Sequence, residues 1–276
     1  MKIYRNTILN LGVWYLLAMG SFGFFLQPTH TMLGSKSCAK FTGFATSFGI
    51  FVNAFFLFVC IMSCLNVGIA IIICFFCRYA QLAHLSVQWW NSCRGALMCV
   101  LLHVAMMVAS GVFTSMLLTP ALTLQADGLF HVCFDDNNYD TVKSFAVAVM
   151  AVFSGESIVI ALIGAATINV LRSQKKFMTK RTYRIQSLLT LNLLILVILP
   201  IVFDVIPISV SCICIYTRSK YLYMCMSIAD HTPFLDVLLT YSVTLGFITP
   251  YREAVKKILW RKNTVEPAVT VVSTHM

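Results

Sequence analysis

The chain has 276 residues, 59% of them hydrophobic and only 11% charged, with a formal net charge of +10. The apolar residues run in long blocks rather than in the alternating patterns of a water-soluble domain, which excludes an ordinary soluble fold and points to an all-α polytopic membrane protein. In such a chain the basic excess marks loops on the cytoplasmic side, so nucleic acid is not an expected partner.

Six apolar stretches are predicted to cross as helices, at about 8–27, 44–77, 95–119, 144–171, 185–212 and 224–249. Each reaches the ~20 residues that span a ~30 Å hydrocarbon core, and a helix satisfies its own backbone where lipid offers no partner. The first, preceded by Lys2 and Arg5, could be a signal peptide, but its apolar run is long and no small-x-small cleavage site follows. A retained helix is the better reading. The second carries no charge from Phe41 to Cys77; as one straight helix of roughly 34 residues it would measure about 50 Å, so it must tilt or begin above the membrane. The fifth holds Pro200 and Pro207, which can kink it and open space beside Asp204. Beyond the sixth, residues 252–262 have amphipathic spacing. Val255, Ile258 and Leu259 share one face, and Lys256, Lys257, Arg261 and Lys262 are placed to meet anionic lipid headgroups. Residues 263–276 read as a cytoplasmic tail.

Basic residues divide unevenly among the connections. Fifteen Lys and Arg fall in the N-terminal segment, the loops after the second and fourth stretches, and the tail; five fall on the other side. The positive-inside rule then puts both termini in the cytoplasm. The loop 172–184 carries six positive charges and no negative one; it is either an acidic-partner surface or a topological signal alone.

Of eleven cysteines, Cys60, Cys64, Cys74, Cys77, Cys93, Cys99, Cys212, Cys214 and Cys225 lie in helices or on the cytoplasmic side, where a thiol behaves as a small apolar group. Cys38 and Cys133 fall on the other, oxidising side. They are expected either to form a bridge or to remain two unrelated thiols; a bridge over so long a loop would contribute on the order of 4–5 kcal/mol in the chain-entropy model.

Polar groups inside the bilayer are costly and are either functional or paired. Glu156 falls near mid-membrane, and Asn53 and Asn66 lie in the second stretch. Asn53, Asp204, Asp230 and His231 are the candidates for an outward-facing ligand pocket. Glu156 and Asp236 could instead line a proton or ion path, and simple interhelical hydrogen bonding accounts for each residue equally well. No H-E-x-x-H, G-x-S-x-G or P-loop occurs; His84, His103 and His131 stand isolated, and Ser154–Gly155 has no partnered histidine. No enzyme activity, catalytic residue, cofactor or metal site is expected.

Several segments resemble one receptor family. Lys2–Asn10 followed by Phe25-Leu-Gln27, Gly34–Phe41 around Cys38, Cys77-Arg78-Tyr79, the basic run Lys175–Lys180 leading to Ile185-Gln186, and Thr249-Pro-Tyr-Arg252 are similar to the nematode serpentine chemoreceptors of the Str superfamily, closest to class D (Srd). The resemblance implies a rhodopsin-like seven-helix architecture with the first helix missing. It implies a chemosensory G-protein-coupled receptor for a small environmental molecule, in the plasma membrane of sensory neurons. It pairs Cys38 with Cys133. It gives G-protein coupling to Arg78, Tyr79, Lys175, Lys176, Lys180, Arg181, Tyr251 and Arg252. Cys77 stands where many such receptors carry an acid, so no ionic lock is expected there. The implied partners are a small-molecule ligand, a heterotrimeric G protein, membrane lipid and oligomeric association with related receptors. A six-helix transporter or channel, and a non-signalling receptor remnant, are the competing readings.

Overall fold

The structure is a computed structural model that describes residues 2–33, 36–83, 93–124, 130–134 and 139–247. The amphipathic segment 252–262, the tail 263–276 and His84 lie outside the described residues.

The first helix, α1 (Lys2–Met19), continues into a π-helical turn, Gly20–Leu26. It stops at Gln27, which takes the left-handed conformation (φ 44°) and donates its N–H to the Phe22 carbonyl at 2.8 Å. Pro28, with no N–H and a fixed φ, cannot prolong the helix and starts a strand instead. A hairpin follows, β1 (Pro28–Leu33) and β2 (Lys36–Phe41), then a 3-10 turn over Phe44–Phe48. Helix α2 (Ile50–Leu82) therefore starts six residues later than the predicted 44. Its entry residue Gly49 has φ 91°, a conformation that a Cβ would strain. This non-helical lead-in takes up part of the charge-free stretch.

Helix α3 (Cys93–Ala121) leads into β3 (Leu122–Leu124) and β4 (Phe130–Phe134), and α4 spans Tyr139–Gln174. Next, α5 (Lys180–Pro200), a π turn (Ile201–Val205) and α6 (Ile206–Tyr216) form one long helical element. Pro207 has no N–H to offer the preceding turn, and the wider π turn absorbs the break. Helix α7 spans Leu222–Phe247.

The four strands join in one antiparallel sheet, ordered β1-β2-β4-β3, which the helical reading did not anticipate. It ties the α1–α2 connection to the α3–α4 connection at one end of the bundle. Every residue there alternates faces, and the register sets Cys38 opposite Cys133. The basic turn between α4 and α5 lies at the other end.

Helix α2 is the central element. It packs against α1, α3, α4 and α5 and buries about half of its residues. The main core joins Leu11 and Tyr15 of α1, Ile71, Cys74 and Phe75 of α2, Ile160 of α4, and Leu193 and Leu196 of α5. The outward surface is apolar. On α3, Leu97, Val100, Leu101, Val104 and Val108 are all exposed, an arrangement that water would penalise and a lipid tail matches. Five helical elements among the described residues are long and apolar enough to cross a membrane: 6–26, 50–82, 95–115, 139–174 and 180–216. α7 is also long, but Asp230, His231 and Asp236 interrupt its apolar run, and it is not among these five. The chain is a multi-pass, all-α membrane bundle capped at one end by a small sheet.

Candidate functional site

Beneath the sheet lies a cavity of ≈ 320 Å³, walled by α1, α2, α3, α4, α6 and α7 and roofed by β1, β2 and β4. Its surface is almost wholly apolar, from Phe22, Leu57, Phe113, Phe145, Phe153 and Met226 among others. Three strongly polar side chains reach it: His30 from β1, Ser211 from α6 and Asp230 from α7. The Ser211 hydroxyl is buried with no hydrogen-bond partner. Ser63, Ser110, Thr114, Thr167 and Thr190, also buried on helices, each donate to the carbonyl four residues back. Ser211 differs from them and leaves its donor to the cavity.

His30 Nε2 lies 2.8 Å from Asp230 Oδ2, an ion-pair distance, without the alignment of a hydrogen bond. The pair stands in a partition. On its far side is a second, more polar cleft between the end of α1 and α7, lined by Gln27, Thr29, Ser227 and His231. Phe22, Pro28, His30 and Asp230 border both spaces.

The four residues expected in one pocket therefore separate. Asp230 borders the cavity. His231 borders only the outer cleft, and its Nδ1 meets the Ser227 carbonyl at 2.7 Å. Asn53 is buried at the start of α2, where its amide donates to the Gly49 and Ala45 carbonyls at 3.0 and 3.3 Å, so it caps a turn. Asp204 sits in the π turn beside Asp236, whose neighbours also include Tyr15 and Thr240. Asp230 and His231 are adjacent on α7, and a one-residue step on a helix turns a side chain by about 100°, enough to send the two to different spaces. His30 and Ser211 were missed because a histidine between two threonines in a connection, and one serine within an apolar run, carry no pattern of their own.

The ion-path candidates have different immediate contacts. Glu156 of α4 abuts Gly68 of α2, where a Cβ would collide with the carboxyl group. Asp236 is fully buried and accepts a 3.3 Å hydrogen bond from Thr240.

His103 is not isolated, contrary to expectation. Its Nε2 lies 3.2 Å from the Asn10 amide nitrogen, and its Nδ1 lies 2.6 Å from Asn66 Oδ1. Trp14 donates to Asn10 at 3.2 Å, and Asn66 donates to the Met62 carbonyl at 2.8 Å. With the proton on Nδ1, every donor along this line meets an acceptor. Three helices are joined by one hydrogen-bonded chain.

Cys38 and Cys133 form a disulfide across the β2–β4 pair, with Cα atoms 4.1 Å apart. At the opposite end Arg78, only 3% exposed, donates to the Gln186 backbone carbonyl at 2.9 Å and to the Gln186 side-chain oxygen. Tyr79 lies beside it on α2, and Lys175, Lys176, Lys180 and Arg181 are exposed around the α4–α5 turn. Tyr251 and Arg252 lie outside the described residues.

A sheet-capped helical bundle with an internal apolar cavity and a basic far end suits a receptor, and comparison with known families decides the matter. The family model for the serpentine type 7TM GPCR chemoreceptor Srh matches residues 1–261. The chain belongs to the Srh chemoreceptor family. The expected class D membership is not confirmed; the matching model is that of Srh. No curated protein matches the chain. Membership in Srh makes the protein a chemosensory receptor of the G-protein-coupled kind, a receptor class rather than an enzyme class.

Proposed function

We propose that this Srh receptor binds a small, neutral, amphiphilic molecule in the cavity beneath the sheet and passes the signal to a heterotrimeric G protein at the basic end. The observation that carries the reading is the apolar cavity with the unpartnered Ser211 hydroxyl in its wall. Apolar walls would hold the body of the ligand, and a single hydroxyl or carbonyl would meet the serine. A charged head fits less well, because Asp230 already faces His30 and no other charge lines the cavity among the described residues.

The opposite end supports coupling. Arg78 bonds α2 to α5, beside a turn whose Lys175, Lys176, Lys180 and Arg181 suit an acidic cytosolic surface. Ligand binding would shift the population between a state in which this bond is closed and one in which α2 and α5 part. The distribution of basic residues favours both termini in the cytoplasm and the sheet on the outer side, and membership in a chemoreceptor family supports the plasma membrane of a sensory neuron as its place.

The test is ligand-dependent nucleotide exchange on a purified heterotrimeric G protein by the full chain in lipid nanodiscs, using medium-chain alkanols, alkanones, alkylamines and alkanes. Exchange with alkanols or alkanones and none with alkanes of equal length is expected, together with a loss of about tenfold in potency for Ser211→Val. Substrate uptake into vesicles without any exchange would overturn the receptor reading. A tenfold preference for amines would overturn the neutral-head reading.

A further inference from the structure

The sulfurs of Cys214 and Cys225 lie 3.5 Å apart, one near the end of α6 and the other near the start of α7. Sequence alone treats both as small apolar residues of separate helices. The turn between them is well defined. The Ser219 N–H bonds to the Cys214 carbonyl at 2.9 Å, the Arg218 N–H bonds to the Ile215 carbonyl at 3.2 Å, and Arg218 takes the left-handed conformation with φ 51°. This is a Schellman termination. Tyr139 at the start of α4 reinforces it by donating to the Tyr216 carbonyl at 2.6 Å, and the Arg218 guanidinium stacks 3.8 Å over the Tyr139 ring. The two thiols thus face each other across a fixed corner.

The same corner lies at the sheet end of the bundle. Helix α4 begins just after β4, which carries Cys133 of the Cys38–Cys133 bridge. A compartment that oxidises one pair therefore reaches the other. Both Cys214 and Cys225 are partly exposed, whereas Cys212, on the same turn of α6, is buried.

We propose that Cys214 and Cys225 form a second disulfide in the mature receptor, clasping α6 to α7. The sulfurs need to close by about 1.5 Å to reach bonding distance, a movement within side-chain rotation. In the step, the thiolate of one cysteine attacks the disulfide of a secretory-pathway oxidoreductase. The second thiolate then attacks the mixed disulfide. The Cys214–Cys225 bond forms, the oxidoreductase disulfide breaks, and its two sulfurs leave as thiols with the electron pair and the two protons. The clasp would fix the spacing between two walls of the cavity, since Ser211, Cys212 and Ile215 come from α6 and Met226, Ala229 and Asp230 from α7.

The experiment is peptide mapping of the full chain, expressed through a secretory pathway in eukaryotic cells and denatured in excess N-ethylmaleimide without reductant. The expected result is a cross-linked peptide pair containing Cys214 and Cys225, lost after phosphine reduction, with both residues then alkylated. In a Cys225→Ser chain, Cys214 should be alkylated without reduction. The Cys38–Cys133 pair serves as the reference for oxidation. If that pair is bridged while Cys214 and Cys225 are both alkylated in the unreduced sample, the proposal is overturned. It is overturned equally if neither pair is bridged, because the sheet end would then face a reducing compartment.

Discussion

Arg78 holds Gln186 twice, through the backbone carbonyl at 2.9 Å and through the side-chain oxygen, so one guanidinium ties the end of α2 to the beginning of α5. In this contact the guanidinium meets two neutral acceptors, an amide carbonyl of the backbone and one of the side chain. A charged donor on a neutral acceptor is worth roughly 1.5–3 kcal/mol when buried, enough to bias an equilibrium between packed and separated helix ends by an order of magnitude or more. Gln186→Ala removes only the side-chain half of the contact. We expect it to raise ligand-independent nucleotide exchange several-fold; unchanged basal exchange in nanodiscs would show that this contact does not restrain the receptor.

The His103 line should behave as one unit. His103→Leu leaves the Asn10 amide and Asn66 Oδ1 without partners between three helices. Interhelical bonds in membranes average about 0.6 kcal/mol each, and an abandoned buried polar group adds roughly 1–3 kcal/mol. Thermal melting in detergent should therefore show a clear drop for His103→Leu and a smaller additional drop when Asn66→Leu is combined with it. Additive losses in this double-mutant cycle would argue against coupling.

Gly68 is required by a neighbour rather than by its backbone. Its missing Cβ makes room for the Glu156 carboxyl group of α4. Gly68→Ala can be relieved by a movement of the flexible acid, whereas Gly68→Val crowds α2 against α4 and should cost about 1–3 kcal/mol. Glu156→Ala in the same chain should restore most of that loss, as read from unfolding in denaturing detergent. No recovery in the double variant would place the clash elsewhere.

The partition between the cavity and the outer cleft depends on His30 and Asp230. Asp230→Asn and His30→Phe should each alter the rate at which a bound fluorescent alkanol leaves the cavity, and the pair of changes together should do no more than either alone. Stopped-flow release rates identical to those of the unaltered receptor would remove the pair from the entry route.

The Cys38–Cys133 bridge closes a sequence separation of 95 residues. By chain entropy it contributes on the order of 4–5 kcal/mol. Cys133→Ser should lower the melting temperature by several degrees, scaling with that loss and with the size of the bundle. It should also expose Cys38 to alkylation in native membranes. A melt unchanged by the substitution would mean that the sheet register holds without the bond.

The sequence by itself determined the membrane class, the long helices and the lopsided charge, because apolar blocks and basic loops are local properties of consecutive residues. It also carried the receptor resemblance and marked Asp230 as a polar residue within an apolar run. The tertiary structure decided which polar groups meet. The four-stranded sheet arises from pairing between segments far apart in the chain, so neither hairpin announces it alone. His30 becomes a partner of Asp230 only because β1 folds against α7. His103 changes from an isolated ring to the centre of a three-helix chain, while Asn53, and Asp204 between its two prolines, do not line the cavity. Depth in the bilayer is written along the chain by the rise of each helix. The direction in which a side chain points at that depth depends on helix rotation and on neighbours that only the folded bundle brings together.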